Sequence, residues 1–82
     1  MKIYNYDGKA NIIGKKIKSI RKEKKMSQDT LAAKMQLENI ELSQKGISRI
    51  ESQERFVTDY ELYTFSKVLN VNIYSLLGID YE

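Results

Sequence analysis

Between Ser43 and Ser52 the stretch SQKGISRIES sets hydrogen-bonding side chains at helical spacing around two isoleucines. With Ile47 and Ile50 taken as the inner face and about 100° per residue, Lys45 and Arg49 point nearly opposite. Ser48 and Ser52 lie beside them, and Gln44 sits in the first turn. A face of this composition suits recognition of base edges. Lysine or arginine can pair with N7 and O6 of guanine, arginine through two bonds at once, and glutamine can read adenine. Simpler roles compete: Ser43 is foremost a helix cap, Gln44 can be merely solvated, and Lys45 can hold a phosphate instead of a base. Gly46 costs such a helix roughly 1 kcal/mol relative to alanine. Its missing side chain leaves room for helix two or a phosphate strand to approach, or glycine is simply tolerated there.

Catalytic chemistry has little to work with. The chain has no cysteine and no histidine, which removes disulfides, thiolate and imidazole metal sites, Ser-His-Asp chemistry and histidine general bases. Glu51, Glu54 and Asp59 are the only acids that could converge near a helix junction, and a helix end and a capping box explain them better. The expectation is a protein that is not an enzyme, with no cofactor, no metal and no small-molecule ligand.

The elements that must carry the polar face fit within one domain of 82 residues, with 41% hydrophobic and 30% charged residues. That is enough apolar material for one modest core and too much for a disordered chain. Apolar runs are short, so neither a membrane span nor a signal peptide is expected, and the chain reads as cytoplasmic. The net charge of +3 is unevenly placed. Residues 1–25 carry nine Lys/Arg against Asp7 and Glu23, whereas residues 26–82 carry five against nine acids. A polyanion partner at one face would fit this asymmetry, as would a solvated lysine-rich helix.

Residues 1–10 have no clear period and read as an N-terminal arm, followed by a folded unit over 11–78 and a tail over 79–82. Asn11 is a candidate N-cap for a first helix whose Ile13, Ile17 and Ile20 form an apolar stripe ending near Lys24 or Lys25. Ser27 caps a second helix containing Leu31 and Met35, running to Glu38 or Asn39 before an irregular turn through Ile40 and Leu42. Ser43 caps the third, which fades around Ser52 to Glu54. Thr58-Asp59-Tyr60-Glu61 is a capping box opening a fourth, with Leu62, Phe65, Val68 and Leu69 on one stripe and Asn70 at its end. Asn72 caps a short fifth helix of Ile73, Leu76 and Leu77, closed by Gly78. The expected fold is all-α, a compact bundle of five short helices.

MSQDTLAAKM followed by SQKGISRIES, with VTDYELYTFSKVLNVNIYSLLG closing the chain, resembles the phage-repressor or XRE-type helix-turn-helix family of DNA-binding proteins. The resemblance runs from about Ile13 to Gly78 and places the helix-turn-helix in helices two and three. It implies base reading by Gln44, Lys45, Ser48 and Arg49. It further implies phosphate contacts from Ser27, Gln28, Ser43 and Ser52 and from the loop around Arg55 and Phe56, and a partly buried salt bridge between Arg21 and Glu51. One departure stands out: QLENIELSQKG before Ile47 is roughly five residues longer than the usual connection, similar to a subgroup in which helix two gains a turn.

The expected function is a sequence-specific double-stranded DNA-binding transcriptional regulator, a repressor that meets a palindromic operator as a homodimer. Tyr74, Ile79 and Tyr81 are the candidate dimer surface, unless they fold back on the monomer. The competing class is a protein-interaction module, antitoxin-like or sigma-factor-binding. Steep salt dependence on duplex DNA separates the two.

Overall fold

Every helix in this chain is started by a polar side chain close to its first turn and stopped by a left-handed residue, and these local signals divide it into short rods. The structure, a computed structural model, describes residues 6–79. Its elements are α1 (Gly14–Glu23), α2 (Gln28–Leu37), α3 (Gln44–Glu51), α4 (Asp59–Leu69) and α5 (Ile73–Leu77), an all-helical bundle.

Four starts follow from the capping residues. Ser27 Oγ accepts the Thr30 N–H at 3.0 Å, Ser43 Oγ accepts the Gly46 N–H at 3.1 Å, and Asn72 Oδ1 accepts the Tyr74 N–H at 2.7 Å. Thr58 and Glu61 complete a reciprocal capping box. Such caps are each worth about 1 kcal/mol because they satisfy amide donors that have no partner within the helix. The stops share one geometry. Lys25, Asn39, Gln53, Asn70 and Gly78 have φ between 55° and 73°, and in each case the next amide reaches back six residues to close the last turn. Met26 donates to Arg21 O at 3.0 Å, Ile40 to Met35 O at 3.0 Å, Glu54 to Arg49 O at 2.9 Å, Val71 to Ser66 O at 2.9 Å and Ile79 to Tyr74 O at 2.9 Å. These bonds satisfy carbonyls that would otherwise be left over, and let the chain turn sharply without proline.

The rods close on one core of Ile13, Ile17, Ile20, Leu31, Ala32, Met35, Leu42, Ile47, Ile50, Phe65, Leu69 and Leu76. α3 lies against α1 and α2, α4 covers those two helices, and α5 packs on α1 and α4. Of the expected α4 stripe, Phe65 and Leu69 are fully buried while Leu62 and Val68 are half-buried. In α5, Leu76 is buried and Ile73 and Leu77 are half-buried.

Two expectations are corrected. Asn11 is not the N-cap of α1: that position is Ile13, which offers no side-chain bond. Asn11 instead accepts the Gly14 N–H at 2.8 Å from further upstream. Nor does α2 run to Asn39 or gain a turn. It ends at Leu37 because Asn39 is left-handed, and residues 38–43 form a non-helical connection that drops Leu42 into the core. Before α1, Asp7 and Gly8 form a tight turn with φ of 50° and 76°, and Tyr6 and Lys9 exchange backbone hydrogen bonds of 2.8 and 2.9 Å across it. An Asp-Gly pair is the sequence such a turn demands.

Candidate nucleic-acid interface

α3 is amphipathic in the sense the isoleucine spacing requires. Ile47 and Ile50 have no exposed surface, while Gln44, Lys45, Arg49 and Ser52 are exposed and Ser48 is half-buried. The face opposite the core therefore presents an amide, an ammonium, a guanidinium and hydroxyls. Lys45 and Arg49 take part in no ion pair among the described residues, and their charges face solvent.

Three separate attachments fix where that face points. At the far end of α3, the segment before α1 grips the last turn: Asn11 Nδ2 donates to Ile50 O at 3.1 Å and Arg55 O at 2.8 Å. Gln53 Nε2 donates back to Asn11 O at 3.1 Å, and the Ala10 amide to Gln53 O at 2.9 Å. The backbones come so close that a Cβ on Gly14 would stand 2.1 Å from Ile50 O. At the near end, Gln36 Nε2 holds Leu42 O at 3.1 Å. The Leu42 side chain lies over Gly46, where a Cβ would meet its Cδ1 at 2.8 Å. The close approach that Gly46 permits is thus made by neither α2 nor a phosphate, but by the leucine that ends the connection.

The third attachment is polar. Arg21 Nε donates to Glu51 Oε2 at 2.7 Å and Nη2 to Oε1 at 3.1 Å, while Nη1 donates to Met26 O at 2.7 Å. The two side chains are only 9% and 3% exposed. The Glu51 hydrogen bond, partly opposed by burial and reinforced by the carboxylate's charge, raises the Arg21 pKa still further above its ordinary value. Gln28 Nε2 also donates to Glu51 Oε1, at 2.9 Å, and Gln44 Nε2 donates to Gln28 Oε1. Arg21, Glu51, Gln28 and Gln44 thereby form one chain of hydrogen bonds from the buried centre to the exposed start of α3.

The remaining predicted contacts are placed as follows. Ser27 and Ser43 serve as caps, Ser27 Oγ also donating to Thr30 Oγ1 at 2.9 Å. Ser52 Oγ lies 3.1 Å from Arg49 O and 2.5 Å from Glu54 Oε1. Arg55 is drawn toward α4, with Nη1 and Nη2 each 3.2 Å from a Glu61 oxygen and Nη1 also on Phe56 O at 2.9 Å. Phe56 is exposed. Burial alone would raise the Glu61 pKa, but the Arg55 and Thr58 hydrogen bonds and the Arg55 charge outweigh it and hold the carboxyl below its ordinary value.

Of the candidate dimer residues, Tyr74 and Ile79 are 42% and 53% exposed, and Tyr81 lies outside the described residues. No group among the described residues could hold a metal ion, and no helix is long and apolar enough to cross a membrane. Sequence reasoning passed over the clamp made by Asn11 and Gly14 and the Glu61 partner of Arg55. The Asn11 contacts span 39 and 44 residues of chain, so no local pattern announces them.

A family model described as helix-turn-helix matches residues 17–76. No curated protein and no solved structure matches the chain significantly.

Proposed function

The chain belongs to the XRE-type helix-turn-helix family of DNA-binding regulators, and from that premise we propose that it acts as a repressor, two copies meeting a palindromic operator with α3 in successive turns of the major groove. Gln44, Lys45, Ser48 and Arg49 read base edges. Ser27, Gln28, Ser43 and Ser52 hold the backbone at the starts of α2 and α3 and the end of α3, with Arg55 and Phe56 flanking. The observation that carries this reading is the exposed, ion-pair-free Lys45 and Arg49 on a helix whose other face is wholly buried. A helix of this size fits the groove, and its orientation is fixed before any ligand arrives by the three attachments to α1 and α2.

Homodimerisation supplies the specificity a single short helix lacks. One α3 reaches only a few base pairs, whereas two related by a two-fold axis read half-sites 34–36 Å apart. Tyr74 and Ile79 are the described residues proposed for that contact, together with Tyr81. Tyr74→Glu combined with Ile79→Glu should leave helical content intact while reducing affinity for a full palindrome to that for one half-site. A wild-type chain that sediments as a monomer on saturating palindromic duplex would refute the dimer.

A further inference from the structure

We infer that Glu51, acting through Gln28, fixes the amide polarity of Gln44 and so makes Gln44 select adenine over guanine, a role that rests on the DNA-reading function proposed above. The inference starts from what a carboxylate is able to do. Glu51 has no hydrogen to donate, and both its oxygens are held by the Arg21 guanidinium. The Gln28 atom 2.9 Å from Oε1 must therefore be the donor Nε2. Turning the Gln28 amide over would set its carbonyl against a buried carboxylate, acceptor facing acceptor, with no donor to replace it. Gln28 consequently offers its own Oε1 to Gln44, and Gln44 answers with Nε2. The choice between the amide's two ends, ordinarily free at an exposed glutamine, is dictated here by an ion pair between α1 and α3.

That choice has a consequence for the base. Once one Nε2 hydrogen is committed to Gln28, Gln44 has one N–H and one carbonyl left. Adenine offers N7 as acceptor and N6–H as donor in the major groove and matches that pair, whereas guanine offers N7 and O6, both acceptors. Against guanine the Gln44 carbonyl faces O6 unsatisfied. With Gln28 removed, both Nε2 hydrogens become available and the amide rotates, so guanine can be met by N–H donors. Gln28 and Glu51 are positioning residues in this scheme, and Gln44 alone touches the base.

The test is competition binding of the full chain to duplexes that differ at the one base pair whose preference disappears in Gln44→Ala. Gln28→Leu keeps the aliphatic stem and removes the amide, and thermal unfolding checks that the fold persists. The expected result is an adenine-over-guanine ratio at that position lowered roughly tenfold, with preferences at other positions unchanged. Gln28→Leu/Gln44→Ala should show a ratio no lower than Gln44→Ala alone. Equal weakening on every duplex would overturn the inference and leave Gln28 as a phosphate contact, and an unchanged ratio or a wild-type preference for guanine would overturn it as well. A wild-type chain that shows no preference among duplexes would sink the DNA reading together with it.

Discussion

Replacing Gly14 by alanine probes the clamp that aims α3. The added Cβ would lie 2.1 Å from Ile50 O, 3.0 Å from Asn11 Oδ1 and 3.1 Å from Gln53 Cγ. Carbon and carbonyl oxygen ordinarily approach to about 3.3 Å, so α1 and the end of α3 must separate by about 1 Å. Neither neighbour can simply rotate away, because the nearest atom is backbone. Over-packing of this kind costs about 1–3 kcal/mol. The separation also strains the Asn11 bonds to Ile50 O and Gly14 N, each worth about 1 kcal/mol. Alanine returns up to about 1 kcal/mol in helix propensity. The net loss is about 2–4 kcal/mol, against a total stability of about 4–12 kcal/mol for a chain of this length, and the midpoint should fall by about 10–30 °C. Urea and thermal unfolding followed by circular dichroism measure both. Gly46→Ala is the control: its Cβ meets the end of the Leu42 side chain, which can turn aside, and its effect should stay within about 1 kcal/mol. A Gly14→Ala variant as stable as wild type would refute the close approach and the clamp built on it.

Breaking the buried ion pair by Arg21→Ala or Glu51→Ala should cost about 3–5 kcal/mol in urea unfolding, since each leaves the other charge without its partner. Glu61 gives the stability a pH dependence of known sign. Its folded pKa is lowered from 4.5, so its contribution is fully present above that value and lost as pH falls through the folded pKa. Glu61→Gln should flatten the acid limb of stability against pH below about 4.5, and an unchanged limb would count against the Arg55–Glu61 pair. Arg49→Ala and Lys45→Ala should each cost about 1–3 kcal/mol on a selected duplex and relax preference at one base position. Uniform weakening on all sequences would make them phosphate contacts.

What could be read from the sequence was what is decided locally. Ser27, Ser43, Asn72 and the Thr58–Glu61 box announced four helix starts, because a cap acts on an amide two or three residues away. The spacing of Ile47 and Ile50 announced which face of α3 turns outward. The path of residues 38–43 stayed hidden because left-handed Asn39, not a glycine or proline, stops α2. The Asp7-Gly8 turn was legible from its residue pair and went unread. Gly14 and Asn11 could not be assigned their roles in this way, since these depend on where the end of α3 arrives in space. Arg21 and Glu51 were named through family resemblance, but the extension of their pair through Gln28 to Gln44 required the geometry.

The most direct measurement is equilibrium binding to two duplexes across a range of salt, one selected by this chain from a random pool and one a scramble of it. If α3 reads bases while its flanks hold phosphates, affinity for both falls steeply and linearly on a log–log plot, by about 0.9 per phosphate neutralised. The selected duplex then stays roughly a thousandfold or more tighter at physiological salt. Equal affinities, or binding indifferent to salt, would contradict a DNA-reading role for α3.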